Sequence, residues 1–254
     1  MERVIEAEWL DELAPDDEGA AGSRKDLQRL NAWMGSPRRF ASLLGTLDPG
    51  VPCRVADLGG GDGRFFLRAA RLVKPQVGVR QVTVVDRQDI VSRETQHDLA
   101  RLGWQSQVAQ ADVFAWLNQQ NERAWDLMVA NLFLHHFAKT QLSKLLAEAR
   151  KVTRMFVALE PRRSSLALVF SRCVRLIGCN NVTRHDAPAS VRAGFCGNEV
   201  SQLWPTDADW ALEEHRAGWF GHLFVARWTK QPCVDHTRNR TCGAGERALA
   251  SARS

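Results

Sequence analysis

A glycine-dense turn directly after an apolar segment constrains this chain more than any other feature. Residues 55–58 read Val-Ala-Asp-Leu, which is typical of a buried strand, and Gly59, Gly61 and Gly63 follow at alternate positions. Residues 64–73 are then apolar at helical spacing. Because glycine has no Cβ, a strand–turn–helix unit of this kind brings backbone N–H groups and a helix N-terminus close to a ligand. The order predicts a ligand-binding turn at the edge of a sheet.

A second apolar strand, residues 82–86, ends in the carboxylate of Asp86. In Rossmann-like folds an acid at this place accepts hydrogen bonds from a ribose diol. Dinucleotide-binding turns follow the pattern G-x-G-x-x-G, in which the third glycine lies on the helix. Here Arg64 and Phe65 follow Gly63, so that third glycine is missing. The chain also lacks tyrosine, and with it any Tyr-x-x-x-Lys pair, which argues against a nicotinamide oxidoreductase.

The segment from Asp57 to Gly63 resembles motif I, D-x-G-x-G-x-G, of the class I S-adenosylmethionine-dependent methyltransferases. The resemblance extends over about residues 24–228. It implies an α/β fold: a Rossmann-like, seven-stranded, mostly parallel sheet with a C-terminal antiparallel hairpin and a helical insertion after strand five. It also implies S-adenosylmethionine as the cofactor. The implied cofactor-binding residues are Asp57, Gly59, Gly61, Gly63, Asp86, Arg87, Asp112, Val113 and Asn131.

Asp112 follows the third predicted strand and has two interpretations. In the family that it resembles, an acid at this point binds the adenine amino group, and the next residues cover the ring. An Asp at a strand–helix junction is equally suited to cap a helix, here residues 113–120. The two roles are compatible, and both are left open.

Alternating strand and helix patterns predict the organisation of the chain. We expect an acidic leader over residues 1–22, a methyltransferase domain over 23–229 with a helical lid at about 164–205, and a disordered tail over 230–254. Ser23 is the expected N-cap of the first helix. The predicted strands are 54–58, 81–86, 106–111, 125–131, 154–160, 210–214 and 222–226, and the predicted helices include 139–152, 164–178 and 188–203.

Composition excludes several classes of protein. The net charge of +5 is concentrated in residues 230–254, which carry five Lys/Arg against two Asp/Glu, so it does not indicate a nucleic-acid partner. No apolar run reaches the roughly 18 residues of a membrane span, and we expect no membrane partner. Residues 1–17 show no signal-peptide pattern. The six cysteines form no C-x-x-C pair, which predicts a reduced, cytoplasmic protein without a metal site.

The residues after the fourth strand indicate the kind of methyl acceptor. An amino-group methylase of this class carries [ND]-P-P-[YF] there, whereas this chain reads Asn-Leu-Phe-Leu-His-His-Phe over residues 131–137. The Leu-His-His-Phe run resembles the ubiquinone and menaquinone methyltransferases. That likeness implies a small-molecule acceptor, either a phenolic or quinol-like hydroxyl or an activated ring carbon. It argues against methylation of adenine or glutamine.

His136, after the fourth strand, and His185, in the predicted lid, are the candidate general bases. Arg184 and Arg192 are candidates for holding an acceptor carboxylate or phenolate. Each also has an ordinary interpretation, as a packed or solvated histidine or as a solvated arginine. A cofactor-binding subunit without catalysis stays open as an alternative function, as does a nucleic-acid or protein methyltransferase. A homodimer stays open as the oligomeric state.

Overall fold

The computed structural model describes residues 1–47, 51–74, 78–205 and 207–230. The predicted tail, apart from Lys230, lies outside these residues. The helices are α1 (Trp9–Glu12), α2 (Glu18–Met34), α3 (Ser36–Leu44), α4 (Arg64–Ala70), α5 (Arg93–Arg101), α6 (Val113–Leu117), α7 (Lys139–Val152), α8 (Ser165–Arg172) and α9 (Asn181–Ala193). Short 3₁₀ helices span Leu134–His136 and Cys173–Ile177.

Seven strands form one sheet in the order β3-β2-β1-β4-β5-β7-β6. They are β1 (Cys53–Leu58), β2 (Arg80–Asp86), β3 (Trp104–Gln110), β4 (Leu127–Asn131), β5 (Met155–Pro161), β6 (Trp210–Ala217) and β7 (Gly221–Trp228). The first five strands are parallel, and β7 is antiparallel to both β5 and β6. The chain thus has the predicted Rossmann-like α/β fold with a C-terminal hairpin.

Alternating strand residues build a separate hydrophobic core on each face of the sheet. Val55, Val129 and Val157 point to the face covered by α3 and α4. Ala130 and Phe156 point to the opposite face, which is covered by α6 and α7. Because parallel strands are covered on both faces, their edge at the carboxyl ends is where polar side chains collect. Among the described residues, no helix is long and apolar enough to cross a membrane.

Two predicted helix starts are wrong. Helix α2, which was predicted to start at Ser23, begins at Glu18, because Asp17 caps it by accepting a hydrogen bond from the N–H of Ala20 at 2.9 Å. The Ser23 side chain is buried and accepts a hydrogen bond from Thr183 at 3.0 Å. The proposed division between leader and domain therefore falls inside α2.

The helix predicted over residues 188–203 is the second correction. Helix α9 instead spans Asn181–Ala193, with Asn180 as its cap and Pro188 in its interior. Proline is common at the first helical position, but Pro188 lies within α9 and does not mark its start. The Asn180 side chain accepts the Thr183 N–H at 2.9 Å and fixes the true beginning of the helix seven residues earlier.

Candidate active site

The glycine turn between β1 and α4 is open at Gly61 and closed at Gly59. Gly59, Gly61 and Gly63 have φ angles of +64°, +53° and +70°, a region that side chains disfavour. A Cβ on Gly59 would lie 2.1 Å from the Phe133 ring, whereas a Cβ on Gly61 would have no neighbour within 4 Å among the described residues. Gly59 therefore serves packing, and Gly61 leaves the space in which a ligand can approach the backbone.

Asp86, at the end of β2, fixes this turn. One carboxylate oxygen accepts the Gly61 N–H at 2.9 Å and the other accepts the Gln88 N–H at 2.9 Å. Charge-assisted hydrogen bonds of this kind are stronger than neutral ones. The second strand therefore positions the open corner of the turn, a structural role that the spacing alone did not predict.

Three carboxylates surround the turn. Asp57 is 1% exposed, and its Oδ2 atom has no hydrogen-bond partner among the described residues. Burial raises the pKa of Asp57 to about 8, and the negative charges of Asp86 and Asp62 add to the shift. The sequence analysis missed Asp62, which is held by Gln28 of α2 through an Nε2–Oδ2 hydrogen bond of 2.7 Å. The three acidic side chains therefore favour a negative potential at this end of the sheet, which Arg64 offsets in part, because its Nε atom lies 3.8 Å from Asp62 Oδ2.

The remaining candidate cofactor residues lie at the ends of β2, β3 and β4. Asp112 caps α6, because its Oδ1 atom accepts the N–H groups of Phe114 at 2.9 Å and Ala115 at 3.2 Å. Val113 is buried beside it, and Arg87 is exposed after β2. Asn131 ends β4, and its buried Oδ1 atom has no hydrogen-bond partner within the described part of the chain. The capping interpretation of Asp112 is confirmed, and its adenine contact stays a prediction.

The loop after β4 is held by Glu160 of β5. This buried carboxylate accepts the N–H groups of Phe133 at 3.0 Å and Leu134 at 2.8 Å. Leu132, immediately before them, has a φ of +54°, which is strained for a branched side chain. The hydrogen bonds to Glu160 stabilise that conformation and keep the Phe133 ring against Gly59.

His135, which the sequence analysis did not select, lies buried between two carboxylates. Its Nδ1 atom is 2.7 Å from Glu160, and its Nε2 atom is 3.2 Å from Glu8. Burial by itself would lower the pKa of His135, but the two hydrogen bonds and the charges of their carboxylates outweigh it and raise the pKa to about 10. Burial would likewise raise the pKa of Glu8, but His135 lowers it to about 2. His135 is therefore an imidazolium that joins Glu8 to β5.

The predicted base, His136, is partly exposed beside this group, and its Nδ1 atom lies 3.1 Å from Asp11. Glu8, His135 and His136 bring donor atoms within 4.8 Å of one another, the spacing that a metal ion needs. Both ring nitrogens of His135 nevertheless already have carboxylate partners. Ion pairing therefore accounts for the cluster.

Residues 3–12, predicted as part of the acidic leader, pack against the loop that follows β4. The Arg3 guanidinium donates to the carbonyls of His135 at 3.0 Å, Phe137 at 3.0 Å and Ala193 at 2.7 Å. It also lies 4.6 Å from the centre of the Phe195 ring. Together with the Glu8–His135–Glu160 chain, these contacts form what we call the N-terminal clamp. The clamp fastens the start of the chain to the loop after β4 and to the end of α9.

The three candidate site residues on α9, one base and two arginines, form contacts within the protein. The Nδ1 atom of His185 lies 2.8 Å from Asp186, and its ring stacks on Trp9 at 3.9 Å. Arg192 forms an ion pair with Glu6, and Arg184 donates to Asn181 at 3.2 Å from an exposed position. The fold therefore brings His185 and Arg192 to the N-terminal segment, which the sequence did not indicate. Their roles toward an acceptor stay predictions.

A family model described as "Methyltransferase domain" matches residues 55–155, from the first strand to the start of the fifth. The match contains the glycine turn, Asp86, Asp112 and the loop after β4. No curated protein matches the sequence.

Solved structures of methyltransferases resemble most of the chain. The plantazolicin methyltransferase BpumL, solved in complex with SAH, is 13% identical and covers 84% of this chain and 91% of its own, with a TM-score of 0.55. N,N-8-amino-8-demethyl-D-riboflavin dimethyltransferase (RosA) from Streptomyces davawensis is 18% identical. The match covers 88% of this chain and 62% of RosA, with a TM-score of 0.52. An O-methyltransferase family protein from Burkholderia thailandensis is 15% identical and covers 80% and 59%, with a TM-score of 0.51.

These likenesses establish the fold. Neither the family model nor the three structures names a quinone methyltransferase, so the resemblance to that branch stays a prediction. Residues 55–155 therefore match the model of a methyltransferase domain, and the described residues share the Rossmann-like α/β fold of these methyltransferases.

Proposed function

We propose that this protein transfers a methyl group from S-adenosylmethionine to a small-molecule acceptor. The observation that carries the proposal is the open corner at Gly61, surrounded by the carboxylates of Asp57, Asp62 and Asp86. S-adenosylmethionine bears a sulfonium and an ammonium group, so a negative potential favours it, whereas the pyrophosphate of a dinucleotide would be repelled. The negative charge around the turn and the absence of the third glycine thus both favour S-adenosylmethionine over a dinucleotide.

The residues present fit that cofactor. Gly61 provides the approach to the backbone, Asp86 would accept the ribose hydroxyls, and Asp112 with Val113 would border the adenine. The orphaned oxygens of Asp57 and Asn131 offer acceptors for the positively charged methionine part. When bound, the cofactor supplies an electrophilic methyl group on sulfur. The protein's task is then to align the acceptor and to exclude water.

The similar proteins support a small-molecule acceptor but do not indicate which atom of it accepts the methyl group. BpumL, RosA and the Burkholderia thailandensis protein are named for a plantazolicin substrate, an amino-riboflavin substrate and O-methylation. This variety agrees with an acceptor outside nucleic acid and leaves oxygen, carbon and nitrogen open. We retain the phenolic or quinol-like hydroxyl, or activated ring carbon, as the proposed acceptor class.

His136 is the proposed general base, ahead of His185. The Asp11 carboxylate, 3.1 Å from Nδ1, favours the tautomer with a proton on Nδ1 and leaves Nε2 free to accept a proton. Both nitrogens of the neighbouring His135 are engaged, so it cannot take this role in the clamped state. His185 has one nitrogen paired with Asp186 and its ring covered by Trp9.

The test is a turnover screen with methyl-labelled S-adenosylmethionine and phenolic and quinol acceptors. Mass spectrometry of the denatured, freshly purified protein should first detect co-purified cofactor or its demethylated product. Bound cofactor without turnover on any acceptor class would favour the non-catalytic alternative. Absence of cofactor binding by calorimetry would overturn the proposal.

The base assignment is tested separately. His136→Gln should lower kcat by about 100-fold and leave cofactor affinity unchanged, because general-base catalysis contributes roughly 10²–10⁴-fold. The loss should shrink at high pH, where a hydroxyl acceptor ionises without help. His185→Gln is the matched comparison. Full activity in both variants and in the double variant would remove histidine as the base.

A further inference from the structure

Helix α8 and the 3₁₀ helix after it present their apolar side to solvent. The residues Leu166, Val169, Phe170, Cys173, Leu176 and Ile177 recur at the three- and four-residue spacing of one helical face, and all six are exposed. Leu176 is 79% exposed and Ile177 is 59% exposed. The buried side holds Ala167, Ser171 and Val174, of which only the last is large. A surface helix of a globular domain normally turns its apolar face toward the core and its polar face toward solvent.

Aromatic side chains from two other elements extend this face. Trp33 of α2 stacks on Phe220 of the β6–β7 turn at 4.9 Å, and Phe170 lies 5.0 Å from Phe220. Trp33 is 62% exposed, and Trp219 in the same turn is 71% exposed. We call these aromatic residues and the exposed stripe of α8 the α8 surface. Contiguous exposed apolar patches of this kind mark an interaction site.

The charged side chains of α8 and of the 3₁₀ helix after it have a single sign. Residues 165–177 contain two arginines and no Asp or Glu. Arg172 and Arg175 lie within the stripe region and are exposed. A basic helix with an outward apolar face and with tryptophan at its border has the features of a helix that lies in a lipid–water interface. We propose that the protein binds peripherally to an anionic lipid surface through the α8 surface.

A second copy of the chain fits this surface less well. A two-fold contact would place the same patch against itself and bring the arginines of both copies together without a carboxylate between them. Anionic headgroups would instead neutralise Arg172 and Arg175 while the apolar stripe enters the boundary of the acyl chains. The proposal departs from the sequence-based expectation of no membrane partner. That expectation rested on the length of apolar runs, which detects spans and not interfacial helices.

The proposal is tested by co-sedimentation of the full chain with phosphatidylcholine vesicles, with and without phosphatidylglycerol. We expect binding to the anionic vesicles that weakens with salt. Leu176→Ser with Ile177→Ser should reduce the partition coefficient by more than about tenfold, because two aliphatic side chains that would enter the membrane are lost. Arg172→Gln with Arg175→Gln should reduce it by about tenfold or more on anionic vesicles only.

The matched control is Leu72→Ser with Val79→Ser, since these residues are 54% and 51% exposed outside the α8 surface. The control should bind vesicles as the unchanged protein does. No binding at low salt, equal binding to both kinds of vesicle, or equal loss in the control would overturn the proposal. So would a concentration-dependent dimer in light scattering that the Leu176 and Ile177 changes abolish, because the surface would then be occupied by a second copy. None of these readouts depends on methyl transfer.

Discussion

The glycine turn and the N-terminal clamp both lie at the carboxyl ends of the parallel strands, yet they treat buried charge in opposite ways. At the turn, Asp57 is buried with an oxygen that lacks a hydrogen-bond partner among the described residues, and burial, together with the like charges of Asp86 and Asp62, raises its pKa to about 8. In the clamp, His135 lies between Glu8 and Glu160, and both of its nitrogens are engaged. A buried polar atom without a hydrogen-bond partner is costly in an apoprotein, so it marks a place for a ligand. Fully paired charge holds elements together.

The contrast has a consequence for stability as a function of pH. The folded pKa of Asp57 is above its unfolded value of 3.8, so the folded state holds a proton that the unfolded state releases. Its contribution disfavours folding progressively as the pH rises from about 4 to about 8. The folded pKa of His135 is above 6.5, so its stabilisation is complete below that pH and is lost as the pH rises toward about 10. Glu8 adds stability that is lost only as the pH falls toward about 2.

His135→Gln should give the largest loss of stability. Removing the cation leaves two buried carboxylates without their shared partner, which costs about 3–5 kcal/mol of unfolding free energy. Urea unfolding at pH 7 measures the loss, and the difference from the unchanged protein should shrink near pH 10. His97→Gln, at an exposed position of α5, is the control. An equal effect in both variants would mean that the clamp does not hold the N-terminal segment.

Gly61→Val should weaken cofactor binding by at least about 100-fold, because a side chain would occupy the space where the ligand approaches the backbone. Gly103→Val separates this effect from strain. Gly103 also has a positive φ, +83°, and an unobstructed Cβ direction, but it lies between α5 and β3. Both variants should lose similar stability, and only the first should lose cofactor affinity in calorimetry. Normal affinity in a folded Gly61→Val protein would contradict the assignment of the turn.

Asp86→Ala should weaken cofactor binding by more than about tenfold. The carboxylate is proposed to bind the ribose, and charge-assisted hydrogen bonds contribute roughly 1.5–3 kcal/mol each. Asp86 also accepts the Gly61 N–H, so Asp86→Asn is the informative companion variant. Its amide oxygen can keep that hydrogen bond, but it carries no negative charge. Affinity restored by Asn would assign the effect to the geometry of the turn. Affinity still low with Asn would assign it to the charge.

Asp57→Asn should raise the melting temperature of the cofactor-free protein by several degrees at pH 8, where the buried carboxylate is most unfavourable, and by less at pH 5. The same change should reduce cofactor affinity if the carboxylate serves the cofactor's positive charge. Scanning calorimetry at the two pH values checks the stability, with Asp16→Asn as the exposed-charge control. A stability gain that does not depend on pH would contradict the raised pKa of Asp57.

The elements of the sheet were predictable because their signals are local. Helix α7 spans residues 139–152 as predicted, since its apolar residues recur at helical spacing. The predicted positions of β1 and β2 are correct to within a residue, because each is a short apolar run that ends in an acid. The starts of α2 and α9 were misplaced, the first because Ser23 resembles an N-cap. Asp17 and Asn180 provide the caps, and only the structure distinguishes them.

The sequence by itself determined the motif residues of the glycine turn, since a backbone that must leave room for a ligand needs glycine at fixed positions. Only the tertiary structure decided what surrounds them. Gln28 holds Asp62 of the turn across 34 positions, and Glu8 meets His135 across 127 positions. No local pattern records such a pairing, because its energy comes from burying and compensating charge between elements that only the folded chain brings together.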